Sequence, residues 1–323
     1  MSTPTPEDRE KERIHASLER TLQGTDFYAA YKDRSVIEIM LNPDGSLWVD
    51  KLGAGMSKIG SMTSSVAENV IRSVAGCFRK EVHTSSPILE CKFPLDGSRF
   101  AAQLPPIVKA PTFALRKRAV KIFTLEQYVE SGTLTQPQYN TIIKAIKEHR
   151  NILIAGGTGS GKTTLLNAVI NSMVVLSPYE RMIIMEDTPE IQCAAENAVL
   201  YETSPEVNLS DLVKLTLRMR PDRILIGEIR GGEALSLLES WNTGHPGGVA
   251  TVHCNSAEDA TNRVVTLVSK NKEAPRNIED MVGQILDVIL FIEKDKTTGE
   301  RCVKELVEVV GYEHNKFIFN SII

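Results

Sequence analysis

Asn151-Ile152-Leu153-Ile154-Ala155-Gly156-Gly157-Thr158-Gly159-Ser160-Gly161-Lys162-Thr163-Thr164 is the stretch on which the reading turns. Five residues dominated by aliphatic side chains form a short strand and run into G-x-x-x-x-G-K-T. From Lys162 to Met173 the pattern is helical. Glycines at 156, 157, 159 and 161 let the backbone fold tightly enough to aim several N–H groups at phosphate oxygens. Thr158 and Ser160 complete the loop. The helix that follows adds the positive end of its dipole. Lys162 reaches the β- and γ-phosphates, the Thr163 hydroxyl ligates Mg²⁺, and Thr164 lies in the same first turn. The spacing therefore predicts a nucleoside triphosphate site with Mg²⁺, and ATP is the expected nucleotide.

Outward from this loop the rhythm is strand, loop, helix. Strands are expected at 182–185, 224–226 and 249–252, and helices at 209–219, 233–241 and 257–268. Alternation of this kind implies parallel βαβ units in a doubly wound sheet. The tail at 287–292, 302–310 and 316–319 adds strands, with an antiparallel edge among them. Open parallel sheets hold ligands at the carboxyl ends of their strands, and two apolar strands here end in acids. Met182-Ile183-Ile184-Met185 leads to Glu186-Asp187-Thr188-Pro189-Glu190, and Arg223-Ile224-Leu225-Ile226-Gly227 leads to Glu228-Ile229-Arg230. Hydrolysis needs one carboxylate near the metal and one near the attacking water, so Glu190 and Glu228 are the candidates. His245 and His253 flank a Gly-rich strand without partnered acids at metal-ligand spacing. His253 is either a sensor of the γ-phosphate or a packed histidine.

The first third of the chain reads differently. Residues 1–8 are expected to fray. Glu7 to Gln23 is helical, with Ile14, Leu18 and Leu22 on one face. Its charges from Glu7 to Arg20, five acidic and four basic, give little attraction to anionic lipid, so packing on its own domain is expected. Val36–Leu41 and Leu47–Lys51 form a hairpin around Asn42-Pro43-Asp44-Gly45. A helix is expected over Val66–Phe78, and strands over Phe93–Leu104 around Asp96-Gly97. Proline-rich 104–111 has the composition of a linker, and Arg116-Lys117-Arg118 follows it. The boundary is placed near residue 120, giving a smaller α+β amino-terminal domain over 1–118 and an α/β P-loop domain over 119–323.

The formal net charge of -4, from 37 Lys plus Arg against 41 Asp plus Glu, argues against coating nucleic acid by bulk electrostatics. No apolar run approaches the ~18–20 residues that cross a bilayer, and the start does not resemble a signal peptide. Five cysteines (77, 91, 193, 254 and 302) without a C-x-x-C pair read as reduced thiols in a cytoplasmic protein.

Taken together, VIEIMLNPDGSLWVD, NILIAGGTGSGKTTLLNA, MEDTPEIQ, LRMRPDRILIGEIRGGEA and GHPGGVATVHCNSAEDA resemble the traffic ATPases of type II and type IV secretion, most closely the TrbB-like conjugal transfer ATPases. The resemblance covers nearly the whole chain. It implies a RecA-like P-loop domain and an ATP-hydrolysing motor that drives pilus assembly or substrate transfer by ring motion. By the same likeness Glu190 activates water, Glu228 helps hold Mg²⁺, and His253 belongs to a histidine box. Arg99, Arg116 and Arg118 match amino-terminal-domain cations that close over the phosphates. Arg218 and Arg220 act there or at a subunit contact. The family assembles as hexamers with nucleotide between the two domains of a protomer, and the hinge is expected at 105–111. A cytoplasmic place at the inner face of the bacterial inner membrane follows, with inner-membrane apparatus components as partners, peripheral membrane association and no stable nucleic-acid binding. Two other functions compete: a hexameric nucleic-acid translocase, which would want basic or aromatic pore loops where only 6% of residues are aromatic, and a nucleotide-gated scaffold with little turnover.

Overall fold

The structure, a computed structural model, describes residues 6–118, 122–295 and 297–322, without the side chains of 6–12 and 14. For residues 1–5 the expected fraying, and the place of Ile14 in its helix stripe, lie outside that description, whereas residues 6–8, also expected to fray, open the first helix. Two compact units divide the chain, Met1–Val120 and Lys121–Ile323.

The first unit runs α1 (Pro6–Leu22), α2 (Asp26–Lys32), β1 (Val36–Leu41), β2 (Ser46–Lys51), β3 (Gly55–Ser61), α3 (Ser64–Cys77), β4 (Ile88–Lys92), β5 (Arg99–Gln103) and β6 (Thr112–Arg116). Its six strands form one antiparallel sheet in the order β3-β2-β1-β6-β5-β4. The β1–β2 hairpin turns where Pro and Gly bracket Asp44, whose carboxylate accepts the Ser46 N–H at 2.8 Å and hydroxyl at 2.6 Å. Thr63 caps α3 by accepting the Val66 N–H. Ala67, Val70, Ile71 and Val74 then form a helix-spaced buried stripe, in one core with Leu18 and Leu22 of α1. The apolar face of α1 is thus buried within its own unit, as the mixed charges suggested.

Two expectations are corrected here. The expected strands over Phe93–Leu104 shift, because β4 ends at Lys92 and Phe93–Ser98 is the turn before β5. The proline-rich segment is not the connection between the units. It joins β5 to β6, which are hydrogen-bonded neighbours paired Gln103 to Thr112, and the Thr112 hydroxyl bonds the Gln103 side chain at 2.8 Å. A ladder at both ends pins the segment, so the hinge expected there has no basis. The chain passes between units at 119–121, outside the described residues.

The second unit runs α4 (Leu125–Glu130), α5 (Gln136–Lys147), β7 (Ile152–Gly156), α6 (Lys162–Leu176), β8 (Met182–Glu186), β9 (Ala198–Glu202), α7 (Leu209–Thr216), β10 (Arg223–Ile226), α8 (Glu233–Asn242), β11 (Val249–His253), α9 (Ala257–Val268), α10 (Ile278–Ile285), β12 (Val288–Lys294), β13 (Arg301–Glu313) and β14 (Lys316–Ile322). Eight strands lie in the order β14-β13-β12-β7-β11-β10-β8-β9. The six from β12 to β9 are parallel, and β13 and β14 add the antiparallel edge. Strand β12, expected with that tail, instead joins the parallel set beside β7, because α10 supplies the crossover a parallel return requires.

Side chains alternate across the sheet. Ile152 and Ile154 enter a core with α4, α5 and α6, whereas Leu153 and Ala155 enter the opposite core with α7 to α10. A sheet covered on both faces explains why its strands read as continuous apolar runs. Arg223 opens β10 fully buried, its guanidinium donating to the Gly247 and Ile146 carbonyls at 2.9 Å each and pairing with Glu180.

Candidate functional site

Strand order assembles the site. With β7, β11, β10 and β8 adjacent and parallel, their carboxyl ends present the phosphate loop, His253, Glu228 and Glu186 in one row. Register makes this specific: His253 pairs with Gly156, and Ile226 pairs with Met185.

The loop needs glycine for two different reasons. A Cβ on Gly156 would fall 2.3 Å from the Ile292 carbonyl oxygen, so close approach of β12 excludes any side chain. Gly161 caps α6 at φ +100°, a left-handed conformation costly to L residues. Helix α6 starts at Lys162, with Thr163 and Thr164 half-exposed in its first turn.

Lys162 is 93% buried, and its ammonium donates to the Gly157 carbonyl at 2.9 Å and to His253 Nδ1 at 3.1 Å. His253 Nε2 lies 3.2 Å from Glu228 Oε1. Arg230 donates to Glu228 Oε2 at 2.7 Å and lies 3.4 Å from Asp187, so cations and acids alternate from the loop to the acidic segment. Burial pushes the Glu228 carboxyl up, but the Arg230 hydrogen bond and charge, with His253 and Lys162, outweigh it and hold the group below its usual value. Glu228 is therefore an anion at neutral pH.

Glu186, 5% exposed, turns back on its own loop. Its Oε1 accepts the N–H groups of Glu190 and Ile191 at 3.0 Å each. Asn167, buried one turn along α6 from Thr163, holds the same loop from the other side. Its amide donates to the Glu190 carbonyl at 3.4 Å and its oxygen accepts the Gln192 N–H at 2.9 Å. Glu190 is half-buried, and its charge adds to the field that stabilises the Arg230 cation.

The loop leaves one polar group open and offers no ready-made metal cluster. The Ser160 hydroxyl oxygen is buried and unpartnered among the described residues. No group of three or more His, Cys, Asp or Glu among the described residues could hold a metal ion alone. A small dication would thus need phosphate oxygens and water beside Thr163 and Glu228, which is how Mg²⁺ is ordinarily bound.

Two of the expected residues fall outside this row of the second unit. Arg218 and Arg220, both exposed, precede β10. They stand at its opposite end from Glu228, about a strand length away, and do not join the row in their own unit. In the first unit, Arg99 and Arg116 are exposed and cross-strand paired, and Arg116 also pairs with Glu38 on β1. Arg118 is exposed and lies over Gly97. Sequence reasoning missed Arg230 and Asn167 as contributors. A signal existed for each: a cation two residues after Glu228, and an amide inside the apolar run of α6 one turn after Thr163.

A family model described as type II/IV secretion system protein matches residues 23–315. The probable conjugal transfer protein TrbB of Sinorhizobium fredii is 45% identical over 97% of this chain and 96% of its own length. Among solved structures, the Legionella pneumophila ATPase DotB superposes with a TM-score of 0.61 at 20% identity, covering 94% of this chain and 80% of that one. The pilus retraction motor PilT with bound ADP gives 0.59 at 19%, covering 91% and 80%. These two likenesses establish a shared fold. Because the family model spans most of the chain and the conjugal transfer relative is 45% identical over nearly all of it, the chain belongs to the type II/IV secretion system protein family.

Proposed function

We propose that this chain is the Mg-dependent, ATP-hydrolysing motor of a conjugal transfer or type IV secretion apparatus. The observation that carries the proposal is the unbroken row from Lys162 through His253 and Glu228 to Arg230, set against the phosphate loop. A bare binding loop has no use for it. Magnesium, when bound, neutralises charge on the β- and γ-phosphate oxygens, and Thr163 and Glu228 would hold it. The backbone of 156–163 cradles the phosphates, and Lys162 stabilises the charge that develops on the transferred group. Glu190 accepts the proton of the attacking water. His253, tied to Lys162 on one side and Glu228 on the other, transmits the loss of the γ-phosphate along the row.

Arg99, Arg116 and Arg118 belong to the same proposal, since exposed guanidinium groups are competent to pair with phosphate oxygens. So do assembly as a homo-hexamer, partnership with inner-membrane components, and a cytoplasmic position at the membrane face. No helix among the described residues is long and apolar enough to cross a membrane.

Phosphate release with Mg-ATP tests the core of the reading. Glu190→Gln is expected to lower kcat by about 10²- to 10⁴-fold, the usual worth of a general base, with ATP binding retained. Lys162→Ala is expected to abolish turnover. Full activity in either variant would overturn the corresponding role, and mass photometry with and without Mg-ATP reads the ring.

A further inference from the structure

The antiparallel edge brings one more cation to the phosphate loop, from a part of the chain that no nucleotide motif includes. Strand β12 runs parallel to β7, with Phe291 opposite Ala155. Its hairpin partner β13 therefore starts beside the loop, where Arg301 pairs with Lys294. The Arg301 side chain lies along the outer lip. Its Cδ and Nε are 3.1 and 3.3 Å from where a Cβ on Gly161 would stand, so Gly161 admits the arginine as well as the left-handed turn. Its Nη2 is 3.5 Å from the Gly159 carbonyl oxygen, at the outer limit of a hydrogen bond.

The charges around it are otherwise engaged. Glu293 pairs with Lys304. Asp295 accepts the Thr297 and Thr298 N–H groups at 2.7 and 2.8 Å. Among the described residues Arg301 has no ion pair, whereas in the same unit Arg223 has one and Arg150 and Arg230 have two each. A guanidinium held at a phosphate cradle by one long, weak contact is available for a stronger anionic partner. Its planar fork of donors matches two phosphate oxygens.

We infer that Arg301 is a further nucleotide-binding residue, donating its guanidinium to the phosphate tail of the nucleotide at the outer lip of the loop. This rests on the reading of 156–163 as a nucleoside triphosphate site. It differs from the roles of Lys162 and the amino-terminal arginines in origin, because the strand-edge register delivers Arg301 within the same unit as the loop.

Titration of the full chain with a fluorescent ADP analogue in magnesium buffer, for wild type, Arg301→Ala and Arg301→Lys, tests it. Arg301→Ala is expected to weaken binding by about 10- to 100-fold, the worth of one charge-assisted pair. The lysine variant, which keeps the charge without the fork, should recover part of the loss. The melting temperature without nucleotide should not move, since one exposed contact is lost, while the rise on adding ADP should shrink. Wild-type binding with an unchanged Arg301→Ala affinity overturns the inference alone, as does an alanine variant already destabilised without ligand. A wild type that does not bind ADP overturns the nucleotide-site reading, and this inference falls with it.

Discussion

Replacing Glu186 by Gln asks whether this buried acid does chemistry or holds the residue that does. Its carboxylate sits at the end of β8, 5% exposed, with Oε1 accepting two backbone N–H groups at 3.0 Å and Oε2 a second contact from Ile191 at 3.1 Å. Glutamine is nearly isosteric and its single oxygen can keep both donors, so the change removes charge more than geometry. A hydrogen bond to a charged group is worth about 1.5–3 kcal/mol and a neutral one about half that. Two weakened bonds therefore cost the loop that carries Glu190 about 2 kcal/mol, or roughly 30-fold in the balance between clamped and released loop. If turnover needs the clamped form, kcat should fall by about 10- to 30-fold, with KM for ATP within about threefold, because Lys162 and the phosphate loop are untouched. Steady-state phosphate release together with nucleotide titration separates the two quantities. A kcat within twofold of wild type would refute the clamp. A loss equal to that of Glu190→Gln would make Glu186 itself the proton acceptor.

Arg223→Ala is expected to cost about 3–5 kcal/mol, as when one partner of a buried pair is removed, because Glu180 keeps only His149 as an ion-pair partner among the described residues and the Gly247 and Ile146 carbonyls each lose a donor. For a unit of this size that lowers the melting temperature by about 6–20 °C, and a fall under about 3 °C would contradict it. Arg150 holds Glu308 below its usual value of 4.5 by hydrogen bonding, against a smaller effect of burial. A depressed carboxyl stabilises the fold above its unfolded value, and that contribution is lost as pH falls through the folded one. Glu308→Gln should thus reduce stability at neutral pH and leave it unchanged in strong acid. Denaturant midpoints at several pH values check the sign.

Local readings held where one segment carries its own physics. The strand, glycine loop and helix over 151–176 are contiguous, so backbone geometry and the helix end need no distant partner. The same is true of the hairpin at Asp44 and of the apolar strands that end in Glu186 and Glu228. Readings failed where the meaning of a segment depends on its neighbours. Prolines at 105–111 look alike in a linker and in a loop closed by two paired strands, and only the Gln103–Thr112 ladder distinguishes them. Strand β12 carries no mark in its residues of whether it pairs parallel or antiparallel, since that depends on the crossover through α10.

Sequence alone thus determined that a glycine-rich loop joins a strand to a helix, where it lies, and which acids follow apolar strands, because each is a property of a few adjacent residues. How the acids are placed was decided by tertiary structure. Glu186 and Glu228 look equivalent in the chain, yet one folds back to clamp its loop and the other faces His253 and Arg230. Arg301 enters the loop's surroundings only through the register of β12 and β13 across 142 residues of chain. Hydrogen-bond pairing between strands is a contact between distant segments, and no local pattern encodes it.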